Sequence, residues 1–597
     1  MISETTRHPS RQGLENPVLL DAQPEHGRIF VIDPLLRSNA GTLGCRSRSK
    51  AMTSLRAFLD DEAHDFPAHE RPAAVGSPAS PSHEAGTRLA HLAVGVLVGT
   101  TAGLGAALVS ADLGQVRQVL DLSATQAAWL STSYIAAAVP ANLLLIKVRQ
   151  QYGLRRFALA ALGLYAAASL AQAWVTEFAA MVLLRAIAGF VSVTLIPLCL
   201  FHTMQGFPTK WRLRGLVFGI GITQCAMPLA RLLSPSLLGV DGWRSLFLLE
   251  AGLALLSLAA VGVLRLPPAE RARVLEPVDL LTFVLLGGAL AAIAAAFGLG
   301  RYEGWLHTRW IVVTLLAAPP ALLAAGVIEL RRATPLIDLR WLTHGDVWRF
   351  AVAVFLIRLV LAEQEVALGA ARALRGRAHG LVSLAEVMLA SAVAGVLASA
   401  ACVNIEKIAR PMMLAIGIAT IAALVDSAAP ETRHLAHLYV SQAAIAFAGT
   451  FFLGPALLLG ITSALRHGGG ALISFIVLFG VVNALGSVAG PALLSSYMNW
   501  RIAAGAAEQA ARADTMRLAA VLGLATTLYL AVLLLLRVLQ RLAERRTEVS
   551  AGAAREEQAS PAASGWTQPP IVPAIGAIMA ALAICGFILI LAAFGRV

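Results

Sequence analysis

Charge is scarce in this chain. Asp, Glu, Lys and Arg make up 14% of its 597 residues, where a soluble globular protein carries about a quarter. With 57% hydrophobic residues and a mean hydropathy of +0.72, that scarcity excludes an ordinary soluble domain. Cysteine is scarce too. The five residues Cys45, Cys199, Cys225, Cys402 and Cys585 share no metal-type spacing, and four lie in apolar runs. They read as small core residues, which excludes a disulfide scaffold or a thiolate metal centre. No phosphate-binding glycine loop ending in GK[ST] occurs, which argues against ATP drive. The net charge of +12 is not gathered on one soluble face, so a nucleic-acid partner is not expected. The start lacks the basic, apolar and small-residue order of a signal peptide, and Met52 offers a second possible start.

What the chain has is long apolar runs. They are about 20 residues each, rich in Ala, Leu, Gly and Val, without alternation, so they read as helices that cross a bilayer. Spans fall at about 90–110, 124–147, 157–175, 178–202, 213–238, 243–264, 279–299, 309–329, 349–369, 380–402, 409–427, 436–462, 470–495 and 516–537, with a fifteenth at 572–594. Alternate loops hold twenty-two Lys and Arg against eleven. The richer set is expected in the cytoplasm, which puts the N-terminus inside; the loop with Arg372, Arg375 and Arg377 runs against the trend.

The organisation expected is all-α and polytopic. Residues 1–88 read as a disordered cytoplasmic tail, 89–265 as an N-terminal six-helix bundle, and 266–345 as a two-helix insertion with a cytoplasmic linker. Residues 346–540 read as a C-terminal six-helix bundle, 541–570 as a linker and 571–597 as an extra transmembrane helix. The last helix reads either as an anchor for a partner such as a periplasmic adaptor protein or as a simple appendage. A faint internal echo supports two pseudo-symmetric halves. Arg185, Gly189 and Pro197 of the fourth span are matched in order by Gln442, Gly449 and Pro455 of the twelfth, and Gly215-xxx-Gly219 by Gly486-xxx-Gly490.

Ionisable residues inside spans are costly and normally face a partner or a water-filled cavity. Arg185 lies roughly 7 residues, or ~10 Å, into its span. Arg231, Glu250 and Glu386 lie at comparable depth, Arg358 nearer mid-membrane, and Glu363 and Glu365 nearer the outer side. The nearly balanced signs predict ion pairs across helices. Arg358 and Glu365, seven apart, share a helix face; Glu363 points about 140° away from Arg358. A carboxylate that moves between a cation and a desolvated setting can carry a proton, which nominates Glu363, Glu386 and Glu250; Arg185 and Arg231 would tune it or bind an anion. Gln224, Gln442, Asn483 and Tyr134 are further candidates for the pathway, although polar residues in spans commonly bond helix to helix. Asp112, Asp279 and Asp426 fall at span ends and read as solvated. His467 lacks partners for a metal site, and no cofactor is expected.

Several local patterns occur in a telling order: WLSTSY with Trp129 and Tyr134, KVRQQYGLRRF, Arg185-Ala-Ile-Ala-Gly189, GWRSLF, GRYEGW and ELRRATPLIDLRWL. Together, over about residues 90–537, they resemble the major facilitator superfamily, in particular its fourteen-span drug:proton antiporter branch. The resemblance implies a central cavity and a conformational gating loop, of which Gly153, Arg155 and Arg156 keep the end while Gln150 replaces its acidic position. The branch usually has an Asp in the first span where this chain has Gly105. Its fifth-span antiporter motif survives mainly as Pro228. Where the branch often has an Asn in the sixth span, this chain has Glu250.

The function expected is secondary active transport across the bacterial inner membrane. The small amphipathic compounds would leave in exchange for protons, by alternating access. Uptake or facilitated diffusion by the same fold is the alternative, and a non-transporting sensor or membrane-embedded enzyme a more distant one. The expected partners are the substrate, protons and the lipid bilayer; oligomeric state is not readable. The two extra spans, 279–299 and 309–329, read as a hairpin outside the pathway.

Overall fold

A run of apolar residues in hydrocarbon must satisfy every backbone amide internally, and the helix does so locally. In the computed structural model, which describes residues 78–557 except 270, 343, 366, 368–377, 404–407, 429–434 and 467–468, the chain follows that rule. Its helices are α1 (Ala85–Ala111), α2 (Ala124–Tyr152), α3 (Leu154–Gln172), α4 (Phe178–Gly206), α5 (Thr209–Asp241), α6 (Trp243–Val263) and α7 (Pro277–Glu303). Then come α8 (Arg309–Leu330), α9 (Gly345–Leu361), α10 (Ala378–Ala401), α11 (Ala409–Ala428), α12 (Leu435–Leu465), α13 (Gly469–Ala503) and α14 (Glu508–Glu557). Among the described residues 13 helices are long and apolar enough to cross a membrane; α9, at 17 residues, is the remaining one. The protein is a polytopic, all-helical, multi-pass membrane protein.

Local chemistry sets the helix ends and breaks. Ser123 caps α2 in a reciprocal box, its hydroxyl accepting from the Gln126 amide at 3.1 Å while Gln126 Oε1 accepts from the Ser123 amide at 2.9 Å. Gly153, with φ of 88°, ends α2 in a conformation that side chains resist. Helix α4 breaks at Val193–Thr194 and α5 at Cys225, each about one turn before a proline, Pro197 and Pro228. A proline has no amide to return to that carbonyl.

Helix α4 packs on α1 and α2, and α6 packs on α3 and α1; α12 packs on α10 and α11, and α14 packs on α11 and α9. The two sets meet where α5 lies against α10 and α12, and where α2 lies against α13. Helix α7 packs on both α2 and α13. The paired glycines serve close approach. A Cβ on Gly215 would come within 2.6 Å of the Thr203 carbonyl, and one on Gly490 within 2.7 Å of Ala362 Cβ.

Several expectations are corrected. Residues 78–83 of the expected tail are bonded: Gln205 Nε2 donates to the Ala79 carbonyl at 2.8 Å and Arg212 to that of Pro81 at 2.5 Å. Residues 541–557 continue α14 as helix, because Ala, Glu and Arg are strong helix formers. Asp279 is not solvated but fully buried, accepting from Lys147 at 2.8 Å and Arg332 at 2.7 Å. Arg332 also meets Glu276 and Glu329. Desolvation pulls the Arg332 guanidinium down, but its bonds to these three carboxylates outweigh it and raise it above its ordinary value. Bonds from Thr334, then Arg332, hold exposed Glu276 below the usual carboxylate range. Residues 1–77, the Arg372–Arg377 loop, Lys407, His467 and the fifteenth span lie outside the described residues.

Candidate functional site

A cavity of about 460 Å³ lies between the two sets of helices. Its walls come from the end of α1, the start of α2, the middle of α5, the end of α7, and parts of α9, α10, α12 and α13. Small and apolar side chains dominate: Ala102, Ala106, Ile135, Met227, Phe297 and Val488 among them. The opposite end of the helices is packed shut. There Leu216, Val217 and Ile220 of α5 join Phe451, Phe452 and Phe475 in one buried cluster, and Val217 leaves no room for a Cβ on Gly454.

The candidate residues sort into three places. The first is the cavity. Arg358 crosses it, Nε donating to Asn483 Oδ1 at 2.6 Å and Nη2 to Gln224 Oε1 at 2.7 Å. The bonds tie α9 and α13 to α5. Nearer the rim, Arg231 donates to Gln364 Oε1 at 3.3 Å and to Glu365 Oε1 at 2.6 Å. Helix α9 turns at Ala362, so Gln364 and Glu365 line the cavity with Arg358.

The second place is the interior of the N-terminal half. Arg185 is fully buried. It donates to the Gly105 carbonyl at 2.8 Å and the Leu130 carbonyl at 3.2 Å, and pairs with Glu250 Oε2 at 3.4 Å. Its guanidinium lies 4.4 Å from the Tyr134 ring centre. Glu250 also accepts from Tyr165 at 2.7 Å and Ser169 at 3.1 Å. These two donors sit at i and i+4 on α3, one face of one helix. Glu250 takes up the space beside Gly105: a Cβ there would stand 3.1 Å from Glu250 Oε1 and 2.0 Å from the Tyr165 hydroxyl. A carboxylate absent from α1 is thus present in the same spot from α6. Arg185, Glu250 and Tyr134 do not line the cavity.

The third place is the interior of the C-terminal half. Glu363 is fully buried and turned away from the cavity toward Asp426, carboxyl facing carboxyl. Gln442 Nε2 donates to Asp426 Oδ2 at 3.0 Å. Among the described residues the side chains of Asp426 and Gln442 face Glu363, and Gln442 Oε1 lacks a partner. His437 lies close enough to act on Asp426.

Two charge expectations therefore fail. Arg358 has neutral amides, not a carboxylate, and Glu363 meets another acid. Spacing along one helix says which face a charge is on, not what the neighbouring helix presents. Asp426, expected to be solvated, is buried. Glu386 is exposed on α10 and does not line the cavity. The gating-loop residues stay within their own half: Arg155 Nη2 donates to the Gly262 carbonyl at 3.1 Å, and the Arg271 side chain fills the space beside Gly153. Arg156 lies in the same stretch and is half-buried. Helix α7 is not outside the pathway, because Phe297, Gly298, Arg301 and Tyr302 line the cavity.

Sequence reasoning missed Asp426, Tyr165, Ser169 and Gln364. For Asp426 a signal existed. It lies in the last turn of α11, and Gln442 lies sixteen residues on, so a helical hairpin sets both at one depth.

A many-spanning helical bundle around a cavity of this kind is the architecture of a membrane transporter. Residues 93–336 match the family model described as Major Facilitator Superfamily, which supports that superfamily for the chain. A curated relative, the Methylenomycin A resistance protein of Streptomyces coelicolor, is 26% identical over 248 residues, covering 41% of this chain and 50% of the relative. The chain thus spans about half the length of that relative. Among solved structures, the human organic anion transporter MFSD10 (TETRAN) is similar with a TM-score of 0.48 and 14% identity, over 75% of this chain and 98% of that one. The proton:xylose symporter XylE gives a TM-score of 0.45 at 15% identity, over 74% of this chain and 95% of its own.

Proposed function

We propose that the protein is a secondary active transporter of the inner membrane that exports small amphipathic compounds in exchange for protons. One observation carries this: a largely apolar cavity walled by both halves, bridged by Gln224, Arg358 and Asn483 and sealed at one end, as alternating access requires. The open end would be the outer one if the richer set of Lys and Arg faces the cytoplasm. Export is favoured by the resistance named for the relative, and the fourteen helices α1–α14 agree with the drug:proton antiporter branch. No group of nucleophile, base and oxyanion donors converges among the described cavity residues, which weighs against an enzyme.

The proton is assigned to Glu363 and Asp426. Two carboxyl groups in contact repel unless one is protonated; His437 lies on the Asp426 side of the pair. The turn that bears Glu363 also bears Gln364 and Glu365, which Arg231 of the other half grips. Movement of the halves would pull that turn and expose the acid pair to water, releasing the proton. The test is transport of a fluorescent amphipath in everted vesicles with an imposed pH gradient. Uptake that collapses with a protonophore supports exchange; uptake indifferent to it would point to facilitated diffusion.

A further inference from the structure

The cavity wall carries a charge that no carboxylate among the described residues neutralises. Arg358 is held by two side chains, and both acceptors are amide oxygens. Among the described residues no carboxylate pairs with it. The neighbouring sequence offers none either: residues 366–377 contain no Asp or Glu, and neither do α1, α2, α12 or α13. The cavity's one wall carboxylate, Glu365, is engaged by Arg231 at 2.6 Å. A second arginine, Arg301, stands at the rim, bonded to the hydroxyls of Ser495 and Tyr302. The surplus is positive, in a site whose other lining is largely apolar or neutral.

A half-buried guanidinium without a counter-ion is costly inside a membrane, and neutral amides orient it without cancelling its charge. Two of its five N–H donors are used in the bonds to Asn483 and Gln224. Its planar fork suits a carboxylate, which supplies both acceptor geometry and charge. Arg301 at the rim adds attraction on the way in. A cationic amphipath would meet two arginines and a carboxylate already paired.

We infer that the compound carried is an amphipathic monoanion whose carboxylate docks on Arg358 while its apolar body lies along Ile135, Met227 and Val488. This rests on the reading of the cavity as the transport pathway. The test uses three probes of one shape: 1-naphthaleneacetate, 1-naphthaleneacetamide and 1-naphthylmethylamine. Binding to the purified protein is measured by ligand-induced thermal shift and titration, and transport in everted vesicles.

The wild type is expected to bind the acid at least about tenfold tighter than the amide, with the amine weakest. Arg358→Gln should bring the acid down to the level of the amide, and Arg358→Lys should keep part of the preference. Size-exclusion profiles report whether each variant folds; if Arg358→Gln does not, Arg358→Lys and the wild-type ranking decide. Equal binding of acid and amide, tightest binding of the amine, or a preference that survives in Arg358→Gln would each overturn the assignment. Proton-driven export of the amide without preference for the acid would overturn it and leave the export reading standing. Anion-selective binding lost in Arg358→Gln, with no transport of any probe, would uphold the site and sink export.

Discussion

Each half of the molecule buries acid, and the two halves treat it differently. In the N-terminal half, Glu250 faces Arg185, Tyr165 and Ser169, so its charge is balanced and its oxygens are bonded. In the C-terminal half, Glu363 faces Asp426, which accepts from the amide of Gln442. The sequence echo runs through the same positions, for Arg185 on α4 corresponds in order to Gln442 on α12. An arginine there pairs with the acid of its half; a glutamine leaves two acids facing each other. On the proposed function, the first arrangement belongs to a scaffold and the second to the part that carries the proton.

That contrast can be broken experimentally. The largest effect is expected from Arg185→Gln, which strands Glu250 without its cation. A loss of about 3–5 kcal/mol in unfolding free energy is expected, and Arg185→Gln with Glu250→Gln should recover most of it; denaturant unfolding of the purified protein measures both. Next come the echo glycines. A Cβ on Gly189 would stand 2.1 Å from the Tyr134 carbonyl, whereas one on Gly449 meets only Leu361 at 3.4 Å. Gly189→Ala should cost about 1–3 kcal/mol and Gly449→Ala under ~0.5 kcal/mol, so equal losses would contradict the packing.

Glu363→Gln and Asp426→Asn should change stability by less than about 1 kcal/mol, in contrast to Arg185→Gln. They should nonetheless lose the pH-driven part of transport. Undiminished pH-driven transport in both variants would remove the acid pair from coupling. The smallest effect belongs to Glu276, exposed beside Arg332. Its folded value is lowered by Thr334 and Arg332, so its contribution is present above its unfolded value of about 4.3 and fades as pH falls through the folded value. The melting temperature of Glu276→Gln should therefore trail the wild type slightly near neutrality and converge with it in acid.

Much of this could be read along the chain. Arg358 and Glu365 both line the cavity, although it is the turn at Ala362, not helical spacing, that brings Glu365 there with Gln364. Arg185 is buried, as its depth implied. The partners were not legible, because a helix pattern gives direction and depth but not rotation against the next helix. So Asp279 at a span end is buried under Lys147 and Arg332, and α7, polar only at its ends, still forms cavity wall because α2 and α13 hold it there.

By itself the sequence determined the spans and the position of each charge along them. Those follow from apolar length and from a fixed rise per residue, both local properties. Tertiary structure decided which charge meets which: Glu250 to Arg185, Glu363 to Asp426, and Arg358 to two amides. These contacts depend on the packing of helices distant in sequence, and in a low-dielectric interior the nearest neighbour sets the cost of every charge.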